Sequence, residues 1–176
     1  MKIKTLVILF SYHHKNTEKI AQVIAKVLNA PIKTPQQIHP SELQGYDLIG
    51  FGSGIYGSKH HIHLLNLADK LLQVSNKKAF IFSTCGAPAF AFDEGHINDY
   101  IGKAHFPLKK KLQLKGYTII DEFMCPGLNT NSFLKLFGGI NKGRPNSEDL
   151  KLAQTFAQNL MKKISNLEIE DSTSLE

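Results

Sequence analysis

The segment at residues 11–17 holds side chains suited to binding an anion. It offers hydroxyl, imidazole, ammonium and amide donors from Ser11, Tyr12, His13, His14, Lys15, Asn16 and Thr17. Apolar residues at helical spacing follow, so the segment leads into a helix that Asn16 or Thr17 can cap. A helix N-terminus has unpaired N–H groups and attracts negative charge. The segment therefore predicts an anion site, with a polar turn and its N-cap as the alternative.

Two further segments are rich in glycine and follow apolar runs of strand length. Residues 52–58 read GSGIYGS, and residues 84–88 read TCGAP. Glycine lets the backbone approach a flat ligand closely, and Tyr56 offers an aromatic face for stacking. The alternative for residues 52–58 is a glycine-rich turn with Tyr56 half buried.

The elements that must position these segments follow from hydrophobic periodicity. Strands are predicted at residues 4–10, 46–51, 78–83 and 117–124, with a weaker one around Ile32 and Lys33. Helices are predicted at residues 17–29, 62–74, 107–115 and 147–164, with about a helical turn from Pro40. Residues 88–106 are interpreted as a functional loop in which Phe90 and Phe92 could form a lid.

Strands that alternate with helices indicate an α/β fold, a three-layer, doubly wound, five-stranded parallel sheet. Ligands of such sheets bind beyond the carboxyl ends of the strands, at the topological switch point. The three segments described above each follow a strand. We therefore expect all three to meet at that edge of the sheet.

Residues 10–21, FSYHHKNTEKIA, resemble the phosphate-binding loop of the flavodoxins. Phe10, Asn16, Thr17 and Ala21 fit the family's pattern, whereas Tyr12, His14 and Lys15 stand where Ser, Thr and Gly are usual. The resemblance also covers the order of strands and helices and the other two segments, which is nearly the whole domain. It implies a flavodoxin-like fold and an FMN cofactor, with His and Lys side chains as cationic donors to the phosphate.

The resemblance further implies which residues would contact FMN. Residues 52–58 resemble the flavodoxin segment that lies against the isoalloxazine ring, and residues 84–88 would cover its other side. Beside residues 11–17, the expected cofactor-binding residues are Ser53, Gly54, Ile55, Tyr56, Gly57, Thr84, Cys85, Gly86 and Ala87. No catalytic side chain and no metal ligand is expected, because the flavin itself carries the redox chemistry.

Three functions remain open at this stage. The first is an FMN-binding electron-transfer protein that serves a partner protein or a small-molecule acceptor. The second is an FMN-dependent NAD(P)H oxidoreductase acting on a quinone or similar acceptor, with residues 88–106 gating a substrate. The third is a flavodoxin-fold binding module without flavin, which the unusual Tyr12 and Lys15 motivate. The segment at residues 125–145, which ends in residues 138–145, is expected to form a surface turn before the last helix, although Lys142 and Arg144 could meet an anionic group.

Other chemistries have weaker motifs. His60 and His63 would share a helix face and suggest a metal site, but no carboxylate is in register with them. Cys85 and Cys125 lie at the ends of the fourth and fifth predicted strands, and if those strands are neighbours a disulfide is sterically conceivable. Two free thiols are nevertheless expected in a reducing cytosol. GFGSG at residues 50–54 resembles a hydrolase elbow around Ser53 as a string alone, with no marked Asp or His partner.

Composition indicates one domain with a basic surface. The chain has 176 residues with 21 Lys plus Arg against 15 Asp plus Glu, a net charge of +6. We expect one flavodoxin-like domain at residues 1–167, with a net charge of +10, and a flexible acidic tail at residues 168–176. Arg144 is the sole arginine, which argues against nucleic-acid readout and leaves acidic partners open. The apolar run at residues 6–10 is too short for membrane insertion, and a cytoplasmic location is expected.

Overall fold

The computed structural model describes residues 3–89 and 97–173. Its strands are β1 (Thr5–Phe10), β2 (Ile32–Lys33), β3 (Leu48–Tyr56), β4 (Lys59–His60), β5 (Lys77–Cys85) and β6 (Tyr117–Pro126). Its α-helices are α1 (Asn16–Leu28), α2 (Ile62–Lys70), α3 (Ile97–Leu114) and α4 (Ser147–Thr173). Shorter 3₁₀ helices cover Pro35–Gln37, Pro40–Gly45 and Ser132–Phe137. Phe90 and Phe92, the expected lid residues, lie outside the described part of the chain.

Five parallel strands form one sheet in the order β2-β1-β3-β5-β6, and β4 pairs antiparallel with the end of β3. α1 and α4 pack on one face of the sheet, and α2 and α3 pack on the other. The predicted three-layer, doubly wound, parallel architecture is confirmed. The order reverses between β1 and β3, which makes their carboxyl ends the switch point.

The uninterrupted apolar run of β1 supplies both faces of the sheet. Leu6 and Ile8 belong to the core beneath α2 and α3, while Val7 and Leu9 belong to the core beneath α1 and α4. Successive side chains of a strand point to opposite faces, so a sheet covered on both sides needs apolar residues at every position. Full burial of a side chain of this size stabilises the fold by about 1.5–3 kcal/mol.

Two glycines of β3 make room for two phenylalanines of β5. A Cβ atom at Gly50 would lie 2.2 Å from Cζ of Phe80, and one at Gly52 would lie 2.1 Å from Cζ of Phe82. Both rings are fully buried in the core beneath α1 and α4. Packing, rather than loop flexibility, therefore requires glycine at these two positions.

β3 and β5 extend into segments that the sequence predicted as loops. β3 continues to Tyr56, because Gly54 pairs in register with Thr84 and the last residues of β3 also pair with β4. β5 continues to Cys85. The predicted loop at residues 52–58 is thereby reduced to the two-residue turn at residues 57–58.

α3 begins at Ile97, ten residues before Pro107, where the sequence predicted its start. Ala104, His105 and Leu108 are buried at helical spacing, and His105 Nε2 lies 2.8 Å from Ser83 Oγ on β5. Pro107, interpreted as a first-turn residue, lies inside the helix. The predicted loop at residues 88–106 was therefore too long, because polar and aromatic residues masked the helical pattern.

Two other helix ends differ from the prediction. α2 ends at Lys70 rather than near residue 74, because Leu71 has an extended backbone. α4 continues to Thr173, past its predicted end at Ile164, so most of the segment expected to be a flexible tail is helical. Within the described part of the chain, none of the helices combines the length and apolarity needed to span a membrane.

Candidate functional site

A cavity of about 420 Å³ opens at the carboxyl edge of the sheet, beside the switch point. All three predicted segments contribute to its wall, through His13, His14, Asn16, Thr17, Gly54, Ile55, Tyr56, Gly57, Thr84, Cys85, Gly86 and Ala87. Ser58 of the second segment also lines it, and five residues outside the three segments complete it: Tyr100, Leu128, Asn129, Thr130 and Asn131. The three segments meet as the topology predicts, while their contact with a ligand stays a prediction.

The start of α1 faces this cavity, and its N-cap residue supplies no capping side chain. Within this fully described segment, the N-cap residue Lys15 makes no side-chain capping bond, and Asn16 and Thr17 of the first turn line the cavity. His14 and Lys15 both have left-handed backbone, with φ of 51° and 53°. This conformation is unfavourable for residues other than glycine, so the turn stores strain where it enters the helix. The exposed helix start is suited to an anion.

A pair of threonine hydroxyls forms the buried floor between the first and third segments. Thr17 Oγ1 and Thr84 Oγ1 lie 2.8 Å apart, and both side chains are buried. One hydroxyl donates to the other, which uses one of the two O–H hydrogens. The second hydrogen can be donated to an acceptor in the cavity.

Asn16 contributes an acceptor that lacks a partner. Its Nδ2 donates to the carbonyl oxygen of Leu128 at 2.9 Å, which fixes the orientation of the amide. Its Oδ1 is buried, and among the residues that the structure describes it has no hydrogen-bond partner. An unpaired buried acceptor costs about 1–3 kcal/mol, so a ligand hydroxyl or N–H at this place would be stabilised.

A tight hairpin between β3 and β4 forms another wall. Its turn residues Gly57 and Ser58 have φ of 53° and 62°, the two consecutive positive values of a type I′ turn. The Tyr56 ring folds over Gly54, where an added Cβ would meet Cε2 of the ring at 2.9 Å. Burial raises the pKa of the Tyr56 phenol, so the ring is neutral at physiological pH. The hairpin thus presents glycine backbone and an aromatic side chain to the cavity.

The end of β5 is held by two asparagines from the segment that follows β6. Asn129 Nδ2 donates to the carbonyl oxygen of Gly86 at 3.1 Å, and a Cβ at Gly86 would come within 2.4 Å of that nitrogen. Asn141 Nδ2 donates to the carbonyl oxygen of Ala87 at 2.7 Å, while its Oδ1 accepts from Ala89 N at 2.8 Å. These bonds fix the loop without covering it.

The segment after β6 is the part of the site that sequence reasoning missed. We expected a surface turn at residues 125–145, yet residues 128–131 line the cavity and Asn141 supports it. Arg144, considered for an anion, instead pairs with Asp149 at 2.5 Å. Two features could have predicted this wall. β6 ends at the same edge of the sheet as β5, and the loop that follows it contains three asparagines between residues 129 and 141.

Four predicted site residues do not line the cavity. Ser11 Oγ accepts from the Glu18 N–H at 3.3 Å, and Lys15 reaches Glu18 at 3.5 Å. Tyr12 is 65% exposed and packs beside the ring of His13. Ser53 is completely buried beneath the cavity. The hydroxyl of Ser11 therefore accepts a hydrogen bond from the first turn of α1 and does not face the cavity.

Ser53 belongs to a buried polar network on the side of α2 and α3. Ser53 and Ser83 are register partners, and each contacts an imidazole at 2.8 Å: Ser53 Oγ meets His60 Nδ1, and Ser83 Oγ meets His105 Nε2. The two rings lie 4.9 Å apart, and His105 Nδ1 is 3.0 Å from Glu122 Oε2. Burial, together with His105, holds the pKa of His60 well below its usual range.

This geometry does not fit the metal site, the hydrolase elbow or the disulfide that were considered from sequence. His60 is buried and bonded to Ser53, whereas His63 is exposed, so the two do not converge on a metal. The buried position of Ser53 within β3 also denies a substrate access to its hydroxyl. Cys125 is paired in register with Thr84, so Cys85 and Cys125 point to opposite faces of the sheet. The two cysteines are free, and the conceivable disulfide is excluded by register.

Comparison with known proteins adds a family to this geometry. A family model described as a flavodoxin domain matches residues 7–127. An uncharacterized protein of Methanocaldococcus jannaschii is 46% identical over 160 residues, covering 91% of this chain and 99% of the relative.

Solved flavodoxins have a similar fold. Oxidised Flavodoxin 2 from Bacillus cereus superposes with a TM-score of 0.65 at 18% identity, over 91% of this chain and 99% of that one. A flavodoxin from the domain Archaea gives a TM-score of 0.60 at 15% identity, over 93% of this chain and 99% of that one. At these identities the likeness concerns the fold.

Proposed function

The chain belongs to the flavodoxin family, and from this premise we propose that it binds FMN and transfers electrons. One observation carries the proposal: a single cavity joins the start of a helix, whose N–H groups are suited to an anion, to walls of glycine backbone and an aromatic ring. FMN combines a phosphate with a flat ring system, so it requires both parts side by side. A ligand with a phosphate alone would leave the Tyr56 wall unused.

The residues present fit the parts of FMN. The first turn of α1 and the free hydrogen of the Thr17–Thr84 pair would donate to the phosphate. The unpaired Oδ1 of Asn16 would accept from a hydroxyl of the ribityl chain. Gly54, Gly86 and Tyr56 would border the ring.

When bound, the isoalloxazine ring supplies one- or two-electron redox chemistry, and the chain supplies binding, shielding and orientation. Cys85 is a poor nucleophile, since burial raises the pKa of its thiol to about 11. No other lining side chain is needed as an acid, base or nucleophile.

The visible absorption spectrum of the purified protein tests this function, recorded after incubation with FMN and removal of unbound FMN by gel filtration, before and during stepwise reduction with dithionite. We expect flavin bands and a titration in two separate one-electron steps. Flavin bands that bleach in a single two-electron step, with rapid bulk oxidation of NAD(P)H, would instead favour the oxidoreductase. A spectrum that stays blank after addition of FMN would contradict FMN binding and favour a binding module without flavin.

A further inference from the structure

The hairpin arm, residues 57–61, joins β3 to α2 and is held to the fold by one buried side chain. Its first two residues, Gly57 and Ser58, line the cavity. His60 is 1% exposed, whereas the other four residues of the arm are exposed or half-buried. β4 pairs with β3 over two residue pairs alone. The attachment of this part of the cavity wall therefore depends on His60.

The hydrogen bonds around Ser53 decide which nitrogen of His60 carries the hydrogen. Ser53 Oγ accepts from the His61 N–H at 3.0 Å and donates its one hydrogen to the carbonyl oxygen of Gly54 at 2.9 Å. Its contact with His60 Nδ1 at 2.8 Å therefore requires the hydrogen on Nδ1. Nε2 is then the basic nitrogen, and it is buried without a hydrogen-bond partner among the described residues.

The surroundings of His60 offer no counter-charge for a second proton. The neighbouring elements contribute the titratable side chains Tyr56 from β3, Cys85 from β5, His61 and His63 from the start of α2, Tyr100, His105 and Lys109 from α3, and Glu122 from β6. Glu122 is the one carboxylate in this set, and its two oxygens already bond to His105 Nδ1 and Lys109 Nζ. The group that directly faces His60 is the ring of His105, 4.9 Å away, which repels a positive charge when it is itself protonated.

A proton on His60 is therefore incompatible with its buried position. A charge without a counter-charge is strongly disfavoured in the interior of a protein. Burial, together with His105, accordingly holds the pKa of His60 well below its usual range. Turning the ring out to water moves the arm but not the sheet, because no other side chain of the arm is buried.

We propose that His60 anchors the hairpin arm and that a proton on its Nε2 releases the arm, which removes this wall from the cavity in acid. His60 is thus a positioning residue for the ligand that occupies the cavity. The inference rests on the proposed function for one point, that this ligand is FMN. The release itself is a property of the chain without a ligand.

Proton linkage gives the release a defined pH dependence. In the open arm the imidazole of His60 is solvated and has the ordinary pKa of about 6.5, whereas in the closed arm its pKa is lower. Opening therefore takes up one proton below that pH. The open fraction should be constant above about pH 6.5 and should rise about tenfold for each pH unit below it, until the closed form is protonated as well.

Amide hydrogen exchange of the full-length protein without FMN, followed by NMR between pH 5.0 and 7.5, tests the release. The probe is the His61 N–H, which bonds to Ser53 Oγ, and the reference is the N–H of Ile8 in the buried strand β1. The protection factor of His61 should be lower than that of Ile8 and should fall about thirtyfold from pH 7.5 to 5.0. A protection factor independent of pH, or equal to that of Ile8 throughout, would overturn the proposal.

Two variants assign the pH dependence to one side chain. His60→Asn keeps a donor for Ser53 Oγ but takes up no proton, so the protection factor of His61 should become independent of pH. The matched control His63→Asn, at an exposed position, should retain the full dependence. A dependence that persists in His60→Asn would overturn the proposal and assign the effect to His61.

A measurement on the unmodified protein does not require that a variant folds. The ¹⁵N chemical shifts of the imidazole of His60 at pH 7.5 should show hydrogen on Nδ1 and none on Nε2. The opposite tautomer would contradict the anchor, because Ser53 would then have given its hydrogen to His60 rather than to Gly54.

Addition of FMN separates this proposal from the proposed function. A ligand that binds the closed arm alone should raise the protection factor of His61 at pH 5.0 about hundredfold when FMN is present at about 100 times its Kd. A pH-dependent release without FMN uptake would contradict the proposed function and support the anchor. FMN uptake that leaves the protection factor unchanged would leave the proposed function standing and overturn the role of the arm as a wall for the ligand.

Discussion

At the scale of single residues, the candidate phosphate site is made of backbone and small hydroxyls. Lys15 occupies the N-cap of α1 in the left-handed conformation, and its side chain points to Glu18 rather than into the cavity. Thr17 and Thr84 contribute hydroxyls, and His14 contributes an imidazole bonded to Thr130 at 2.8 Å. The site therefore combines backbone and hydroxyl groups with an imidazole, and substitution of each side chain measures its contribution.

The variant Thr17→Val should raise the Kd for FMN about tenfold, equivalent to about 1.4 kcal/mol. Valine has a similar shape but cannot bond to Thr84 or donate to the phosphate. Quenching of flavin fluorescence during titration gives the Kd, and Thr17→Ser, which keeps the hydroxyl, is the control. An unchanged Kd in the valine variant would remove Thr17 from the phosphate site.

Replacement of His14 should weaken FMN binding more at pH 5.5 than at pH 8. A histidine changes charge between pH 5 and 8, and the cationic form favours the phosphate. His14→Asn is the preferred variant, because asparagine tolerates the left-handed backbone at this position, and His14→Ala is its partner. The ratio of variant to unmodified Kd at each pH cancels the titration of the phosphate itself. A ratio independent of pH would exclude a cationic role.

At the scale of elements, register and close packing decide what the side chains can do. The one-residue offset of Cys85 and Cys125 on paired strands places them on opposite faces of the sheet. Close packing leaves no room for a Cβ atom at some glycines of this fold, whereas others have open space around them. Gly86 lies against Asn129, whereas a Cβ at Gly102 of α3 would meet nothing within 4 Å.

Oxidation should therefore leave both thiols free. After treatment of the folded protein with diamide, alkylation under denaturing conditions should label Cys85 and Cys125, because their side chains cannot meet across the sheet. The mass of the alkylated chain provides the measurement. A species two hydrogens lighter with neither cysteine labelled would show that the register assigned to β5 and β6 is wrong.

The substitution Gly102→Ala should raise the free energy of unfolding by about 0.5–1 kcal/mol. Alanine lowers the backbone entropy of the unfolded chain at a helical position with open space. It should not change FMN binding, because Gly102 is not among the residues that line the cavity. Gly86→Ala is the contrast: it should destabilise the fold and weaken FMN binding, since its Cβ would push Asn129 out of place. Urea unfolding and FMN titration of both variants measure these effects.

At the scale of the whole molecule, a polar network lies inside the apolar layer beneath the cavity. His60 is fully buried, and its Nε2 has no hydrogen-bond partner among the described atoms. Its direct neighbours are Ser53 and the ring of His105. His61 bonds to Ser53 and Glu122 bonds to His105, so both are one contact further away. Burial opposes ionisation of Glu122, but hydrogen bonds from His105 and Lys109 outweigh it and lower the pKa of this carboxyl. The network connects the sheet to α3 through charge as well as packing.

This arrangement predicts acid sensitivity of the fold. The pKa of His60 is lower in the folded state than in the unfolded chain, so the unfolded chain binds more protons in acid. The free energy of unfolding should keep its full value above about pH 6.5, the pKa of histidine in the unfolded chain, and should fall as the pH decreases below it. Glu122, with its lowered pKa, adds a second loss below about pH 4.5.

Urea unfolding between pH 5 and 8 measures the histidine contribution. The variant His60→Asn should reduce the slope of stability against pH, because asparagine keeps a group near Ser53 Oγ but takes up no proton. His63→Asn, at an exposed position on α2, should retain the slope. An unchanged slope in the His60 variant would assign the acid sensitivity to other groups.

The sequence by itself determined the layer architecture and the meeting of three segments at one edge. Apolar runs such as β1 can only be buried on both faces, and right-handed crossovers then leave few arrangements. Resemblance to flavodoxins indicated the same cavity before its walls were known. These are properties of local pattern and chain connection, which a sequence displays directly.

Only the tertiary structure decided which side chains face the cavity and which support it from behind. Ser53 and Ser11 are turned away from the cavity, and Asn129 and Asn141 complete a wall from a segment that local pattern predicted as a surface turn. The bonds of His105 to Ser83 and Glu122 likewise hold α3 against the sheet. Such contacts join residues that are 7 to 54 positions apart in the chain, and their free energy exists only after the sheet has brought them together.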